Sequence, residues 1–579
     1  MKRPRIWSFR SADPDVERRL ERDLNLSPLA ARVLALRGVA TAEQGRIFLD
    51  ASLKELSPPS DLPDIAVAIE RLLRALAEKQ KVLVFGDSDV DGLSGACLLA
   101  RVLKAAGGDV DVHVAERTVD GYGLSAAGEA TVLRRAPAVL VTVDHGVTAH
   151  AAIGRLQASG IDVLVTDHHQ KPDELPPALA VVNPLLLESS HPAAKLSGAG
   201  VAFQLACGLF EALPDAKKRA SHLRATLREG LAYAALGTVA DVVALVGDNR
   251  RLVRHGLEQL RETAIPGLLA LRTIARLDGR ALDAEDVSFG FAPRLNAAGR
   301  LGQVDLARRL LLTDSAAEAQ QLAADLERLN QERRTIEARV HERALERLKE
   351  VEPDAPIVII GDEAFHAGVI GIVAAKLVER TGKPVLLIAT DGLVARGSGR
   401  SVPGFDLAQA IGQAREHLAS CGGHAAAAGL EMDPRRLPDF ARALTRIAAA
   451  QDRTPPPATL QIDAEAMLHQ ITPRLCSELR QLGPFGEGNP QPLFAASNVE
   501  LAAPPRRVGQ DGAHLQLKLR NGSAALAAIA FGQGPRAEEL AAGRFALVFT
   551  PRTSNFAGGK SVELLVADLK VESKAHAAA

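Results

Sequence analysis

Three aspartates on alternate residues, Asp87-Ser-Asp89-Val-Asp91 followed by Gly92, form the densest group of metal-binding side chains in the sequence. Carboxylates at that spacing suit a hard divalent cation. A calcium-binding EF-hand loop also opens DxDxDG, but it needs a bidentate Glu at its twelfth position and a helix before it. Here the twelfth position is Leu98 and the preceding KVLVFG run (81–86) reads as a strand, which excludes that loop. A single Asp after a strand is ordinarily a helix cap, an explanation that weakens for three. Further along, VTVDHG puts Asp144 after an apolar run and VTDHH does the same for Asp167, His168 and His169. Asp241 lies between apolar neighbours in LGTVADVVAL, where a charge needs a compensating partner. Such acids, gathered together, would repel one another unless cations neutralised them. Asp and His ligands without Cys favour Mn²⁺ or Mg²⁺. Several carboxylates with His suggest two ions about 3.5–4 Å apart, which clamp both oxygens of an in-line phosphoryl displacement.

The elements that must position these groups are legible as apolar runs. Lys81–Gly86, Ala138–Val143, Asp162–Thr166 and Ala180–Val182 are near-continuous in Val and Leu, with helical patterns between them. That alternation predicts an α/β fold with a parallel sheet buried on both faces. Ligands of such sheets collect beyond the carboxyl ends of the strands, where the acids and histidines fall. Asp314 to Glu350 contains no Pro or Gly and repeats Leu322, Leu326, Leu329, Ile336 and Val340 at helical spacing. It predicts one helix of about 50 Å at ~1.5 Å per residue, long enough to bridge two units. A second α/β unit follows, with strand PIVIIG, helix Val369–Glu379 and strand Pro384–Ala389. Within it, Gly397-Ser398-Gly399-Arg400-Ser401 reads as a tight turn whose N–H groups, hydroxyls and guanidinium suit a phosphate. Gly422-Gly423-His424 would let a backbone approach substrate closely. After the break TPPPA (454–458), the short runs HLQLKL, AALAAIAF, FALVFT and VELLVADL predict an all-β barrel or sandwich.

Size and composition bound the rest. A chain of 579 residues exceeds one core, so several domains are expected. Net charge is −1, so any nucleic-acid groove must arise from local clustering, and 3% aromatics limit base stacking to a few side chains. No apolar run approaches the ~20 residues of a membrane span, and MKRPRIWSFR has no apolar stretch behind it, against a secretory signal. Cys97, Cys207, Cys421 and Cys476 lie far apart without a CxxC pair, which suits a reducing cytoplasm.

In chain order, VFGDSDVDG (84–92), ERTVDGYGL (116–124), TVDHG (142–146), TDHH (166–169), NP (183–184), LSGAGVAF (196–203), GTVADVV (237–243), FAPRLNAAGRLG (291–302), HAGVIGIVAAKL (366–377), GSGRS (397–401), GGHAAAAG (422–429) and PFGEGNPQP (484–492) resemble the DHH phosphoesterase superfamily. Within it they are most similar to the bacterial exonucleases that digest single-stranded DNA. The resemblance implies an N-terminal segment (1–60), a DHH catalytic domain (61–313), a connecting helix (314–350), a smaller DHHA1 domain (351–453), an OB-fold barrel (454–572) and a disordered tail (573–579), with no further domain beyond the barrel. It implies metal ligands at Asp89, Asp91, Asp144, His168 and Asp241 with Asp87 beside them, and a catalytic group of Asp144, His168 and His169, the last facing the scissile phosphate. Arg117 and Tyr122 match residues that hold a 5′ phosphate and stack on a base. Arg294, Asn296, Arg300, His366, Ser398, Arg400, Ser401, Gly423 and His424 join them as substrate-binding expectations. Arg506, Arg507, Lys518, Arg552 and Lys560 are candidates for contacts to a strand tracking over the barrel.

The resemblance further implies a 5′-to-3′ exonuclease that cuts single-stranded DNA to mononucleotides with two Mn²⁺ or Mg²⁺ ions, in DNA repair and recombination. A single-stranded-DNA-binding protein and a RecQ-type helicase are its implied partners. The alternatives are a phosphodiesterase for short oligonucleotides or cyclic dinucleotides, which the bridging helix and barrel disfavour, and a non-catalytic scaffold, which the full set of acids disfavours. Two departures stand out. His145 occupies the usual place of a Cys, adding a ligand or proton carrier to the inventory, and Ser88 replaces an aromatic residue.

Overall fold

The structure is a computed structural model, and it describes residues 5–116, 121, 123–215, 220–451, 459–541, 543–553 and 561–571. Arg117, Tyr122, Lys560 and the tail 573–579 therefore lie outside the described residues.

The chain opens on β1 (Ile6–Phe9) and three helices, Pro14–Leu24, Pro28–Leu36 and Ala42–Asp50. They do not stand apart. β1 pairs in parallel with the strand Thr459–Ile462, and Leu20, Leu29, Val33 and Leu34 are buried in one core with Leu475, Phe494 and Phe549 of the C-terminal unit. The Trp7 indole donates to Asp568 at 2.8 Å and takes Lys570 over its ring at 4.4 Å.

Five parallel strands then form the first sheet: β2 (Lys81–Gly86), β3 (Asp109–Val114), β4 (Val139–Val143), β5 (Asp162–Thr166) and β6 (Ala180–Val182), in the order β3-β2-β4-β5-β6. Val82, Val84, Val141 and Leu164 point into one core while Leu83, Phe85, Leu140 and Val163 point into another. Burial on both faces is why these strands read as unbroken apolar runs. All carboxyl ends share one edge, which brings the ends of β2, β4 and β5 side by side.

The bridging helix runs Ala316–Leu348, capped by Ser315, whose hydroxyl accepts from Glu318 N at 3.3 Å. Its 33 residues give about 50 Å at ~1.5 Å each. Leu322, Leu326 and Leu329 enter the first core and Val340 and Ala344 a second. Between them Asn330 and Glu337 are buried, Arg333 and Lys376 both pairing with Glu337. One rigid element thus anchors in two cores and fixes their separation.

The second sheet is mixed, with β7 (Val358–Asp362), β8 (Val385–Thr390), β9 (Ala395–Arg400), β10 (Ser420–His424) and β11 (Ala427–Met432) in the order β10-β11-β9-β8-β7. GSGRS is therefore a strand with Ser401 just beyond it, not the tight turn expected, and Gly422–His424 ends a hairpin strand. The glycines serve packing. A Cβ at Gly397 would lie 2.8 Å from Leu430 Cδ1, and one at Gly399 2.6 Å from Leu407 Cδ2. Alternation then turns Ser398 and Arg400 toward the helix Ile370–Thr381, where a Cβ at Gly371 would sit 2.8 Å from Ser398 Oγ.

Beyond β12 (Thr459–Ile462) and β13 (Ala464–Glu465), the strands β14 (Phe494–Val508), β15 (His514–Asn521), β16 (Ala524–Ala530), β17 (Phe545–Thr553) and β18 (Val562–Val571) close through a β14–β17 pairing. The C-terminal unit is a barrel, not a sandwich. β14 carries Pro504 and Pro505, which the apolar pattern did not mark as strand; register shifts on either side of Ala503 accommodate them.

Each fully buried Leu or Val contributes about 1.5–3 kcal/mol, so losing Leu20, Leu29, Val33 and Leu34 approaches the ~5–15 kcal/mol net stability of a whole domain. A chain beginning at residue 61 should lose most of its soluble yield and its cooperative barrel transition in thermal unfolding. Unchanged yield and melting would contradict this shared core.

Candidate metal centre

Each acidic side chain is delivered by a strand end or helix end. Asp87 follows β2, its N–H donating to Val143 O at 3.1 Å, so the chain turns tightly against β4. Asp89 caps the helix Val90–Ala105, its Oδ1 accepting from Asp91 N at 3.0 Å and Gly92 N at 3.3 Å. The same carboxylate thus caps a helix and belongs to a group that could hold a metal ion. Asp91, 1% exposed, accepts from Gly198 N at 2.6 Å and Ala199 N at 2.9 Å, the first amides of the helix Gly198–Ala212. That helix N-terminus stabilises the buried charge.

Asp144 follows β4 with φ 68°, a left-handed conformation that aspartate tolerates better than most residues. Its N–H donates to Thr166 O at 2.9 Å. A Cβ on Gly198 would lie 2.6 Å from Asp144 Cβ, and one on Gly237 would run into Asp91 Oδ1. Glycine is required at both positions because the Asp144 and Asp91 side chains approach the backbone closely.

The sequence-predicted ligands meet. His168 Nε2 lies 3.0 Å from Asp144 Oδ1, 3.5 Å from Asp241 Oδ2 and 3.7 Å from Asp91 Oδ2. Three overlapping groups have ligand atoms within 4.8 Å of one another: Asp87, Asp89 and Asp144; Asp91, His168 and Asp241; and Asp144, His168 and His169. Asp144 and His168 each belong to two groups, which places them between two adjacent positions. Among the described residues, the ion-pair partners of Asp91, Asp144 and Asp241 are histidines alone.

The electrostatics are those of crowded, buried carboxylates. Burial, reinforced by Asp89, Asp91, Asp87 and Asp241, pushes the Asp144 carboxyl well above its ordinary range. Burial, with Asp91, Asp89 and Asp87, pushes Asp241 up to about 8 against the opposing effect of His169. His168 is pushed down, chiefly by burial, toward the neutral imidazole that ligates metals. Asp144 Oδ1 and His168 Nε2 are buried without a hydrogen-bond partner while facing each other. Two orphaned lone pairs in apposition fit a divalent cation.

Asp167 escaped the sequence reading as a site residue. It is 1% exposed and receives His169 Nδ1 at 2.8 Å, Val147 N at 2.9 Å, and the amides of His168 and His169 at 2.8 and 3.1 Å. Burial alone would raise this carboxyl, but the His169 contacts bring it down to about 2. Reciprocally, burial would lower His169, yet Asp167, with Asp241 and Asp87, lifts it to about 9. The protonated imidazole is thus favoured at His169, whose Nδ1 lies 2.8 Å from Asp167 Oδ1.

The second unit closes over this mouth. The His424 ring lies parallel to His169, centroids 6.1 Å apart and planes at 8°. Arg300 donates to Gly368 O at 3.0 Å, joining the helix Ala292–Arg300 to the loop before the helix Ile370–Thr381. The other expected substrate residues stand on neighbouring elements: β11 lies between β9 and β10, with Ala427 paired to Arg400 on one side and to His424 on the other. Arg294 pairs with Glu327 at 2.6 Å and donates to Gly290 O at 2.6 Å, and Ser401 Oγ donates to Phe405 O at 2.7 Å. Asn296 is half-buried on its helix, and Gly423 and His366 are exposed, His366 Nδ1 accepting from Gly368 N at 3.1 Å. Arg400 Nη1 donates to Gly399 O at 2.8 Å beside Ser398.

His145 turns away from the ligands. Its Nε2 donates to Phe85 O at 2.9 Å, its ring meets Phe85 edge-on, and burial lowers its pKa.

With this geometry in view, likeness to known proteins is specific. Residues 81–238 match the DHH family N-terminal domain, 354–450 the DHHA1 domain, and 462–568 the RecJ OB domain. The single-stranded-DNA-specific exonuclease RecJ of Salmonella typhimurium is 34% identical over 98% of this chain and 100% of its own length. That of Bacillus subtilis is 32% identical over 98% of this chain and 71% of its own. The crystal structure of RecJ in complex with Mn²⁺ from Thermus thermophilus superposes with a TM-score of 0.83 at 32% identity, covering 98% of this chain and 80% of that one. The corresponding Mg²⁺ complex gives 0.77 at 31% identity, covering 98% and 79%. Likeness at this level runs the length of the chain and through every unit of the fold, so the chain belongs to the RecJ family of single-stranded-DNA-specific exonucleases.

Proposed function

We propose that this protein is a divalent-metal-dependent exodeoxyribonuclease that hydrolyses single-stranded DNA from its 5′ end, releasing mononucleotides, with Mn²⁺ or Mg²⁺ as its ions. The observation that carries the reading is the apposition of Asp144 Oδ1 and His168 Nε2, two buried atoms 3.0 Å apart without a hydrogen-bond partner, where two ligand groups meet. Asp87, Asp89 and Asp144 would hold one ion and Asp91, His168 and Asp241 the other. When bound, such a pair supplies an activated water and neutralises charge on the phosphodiester.

The chain's own residues do the rest. Asp167 holds His169 by Nδ1 and keeps it charged, so that Nε2 can donate to a phosphate oxygen as negative charge grows there. His424 faces His169 from the second unit, making the cleft between the units the place where a strand is gripped. Arg300, Ser398, Arg400, Gly423 and His366 would contact the phosphates along it, with Asn296 beside them, and Arg117 and Tyr122 would receive the 5′ end. The barrel extends the path for a strand longer than an oligonucleotide.

A single-stranded-DNA-binding protein and a RecQ-type helicase are proposed partners, since such an enzyme needs its strand exposed and delivered. The cysteines are free thiols, and burial pushes Cys97 and Cys207 up to about 12, in keeping with a reducing cytoplasm.

Asp144→Asn and His168→Ala should each lower kcat on labelled single strands by about 10³-fold or more, a loss on the scale of removing a principal transition-state contact; near-normal turnover would refute the ligand assignment. In chelator, Asp144→Asn should melt no lower than the parent, because it removes one of several crowded charges and Asn keeps the left-handed backbone. Mn²⁺ at a hundred-fold excess over Kd should raise the parent's stability by about 2.7 kcal/mol for each ion bound and the variant's far less; equal gains would contradict the site. On 5′- and 3′-labelled strands, label should leave first from the 5′ end, and early release of 3′ label would reverse the proposed polarity.

A further inference from the structure

The PFGEGNPQP motif (484–492) has no part in the chemistry above, yet it lies against the segment that carries a ligand. Asp241 is the C-cap of the helix Ser221–Ala240. The chain leaves it through Val242, a β-branched residue at φ 59° and 65% exposed. Such a residue is disfavoured in the left-handed region, and at that exposure little packs on Val242 to hold it there. What restrains the turn comes just after it. Leu245 N–H donates to Glu487 O at 2.8 Å. A Cβ at Gly488, itself at φ 71°, would lie 3.1 Å from Ala244 Cβ and 3.2 Å from Val246 Cγ1.

The loop that makes these contacts is itself fixed. Asn489, 2% exposed, donates to Leu482 O at 2.9 Å and Pro484 O at 2.8 Å, and accepts from Arg37 Nε at 3.0 Å. Gly486 and Asn489 exchange backbone bonds of 2.9 and 3.2 Å. Arg37 Nη2 also donates to Pro490 O at 2.7 Å, tying in the N-terminal helices.

We infer that the loop 484–490, borne by the barrel unit, is the clamp that holds Asp241 in ligating position, with Asn489 and Gly488 as positioning residues for one of the two ions. The clamp joins three parts of the chain: Arg37 holds Asn489, the loop holds residues 244–246, and these hold the strained turn after Asp241. Asp87, Asp89 and Asp144 stand on the sheet edge and are independent of it. The clamp therefore acts on the ion that uses Asp241 and leaves the other alone. This rests on the two-ion reading of the centre.

The test is Mn²⁺ titration of the full chain, with free Mn²⁺ followed by its electron paramagnetic resonance signal and no substrate present. The parent should bind two ions. Asn489→Ala and Gly488→Ala should each weaken one of them about ten-fold or more, the scale on which groups that orient ligands act, and leave the other within about two-fold. Leu540→Ala, which removes volume from the barrel core, should lower the melting temperature and leave both affinities in place. The clamp is overturned if both loop variants keep both affinities, or if they weaken both ions in parallel. A parent that binds no Mn²⁺ would overturn the two-ion reading itself, an outcome distinct from either.

Discussion

Like charge held in a small, largely buried space governs this molecule. Asp87, Asp89, Asp91, Asp144 and Asp241 converge with two histidines at one edge of the first sheet, and burial raises Asp144 and Asp241 well above ordinary carboxylates. Water would relieve that repulsion if the site were open, but Asp87, Asp91 and Asp144 are each 1% exposed. The fold supplies partial relief from backbone dipoles, with the helix at Gly198 capping Asp91. A pair of divalent cations would supply the remainder. A parallel sheet is suited to this because its strands all present their carboxyl ends together.

Around that edge the rest of the structure works as a support. Asp167 is a buried acid kept charged by three amides and His169, so it orients that imidazole and raises its proton affinity. The bridging helix anchors in two cores and sets the distance at which His424 meets His169. The N-terminal helices complete the barrel core, and through Arg37 and the loop 484–490 they reach the turn after Asp241. Parts that are remote in sequence thus bear on one cluster.

Much of this was legible in the residues. Strands buried on both faces appear as unbroken apolar runs, so β2, β4, β5 and β6 stood out, and the acids after them marked the edge. The bridging helix was visible because nothing in it breaks a helix. What stayed hidden depends on contacts across long separations. GSGRS has the composition of a turn, but its glycines make room for Leu430 and Leu407 across and behind a strand. Nothing in the first 60 residues announces that they belong with a barrel some 400 residues later, since their apolar faces fit any core. Asp167 looked like one more acid in a motif, and only its four donors reveal that it orients a histidine instead of ligating an ion.

The central claim is that two divalent cations sit in this cluster. Crystals grown with Mn²⁺ and measured on either side of the manganese absorption edge would test it most directly. The account predicts two anomalous peaks about 3.5–4 Å apart, one among Asp87, Asp89 and Asp144 and one among Asp91, His168 and Asp241. Anomalous density elsewhere on the molecule, with none between Asp144 and His168, would contradict it.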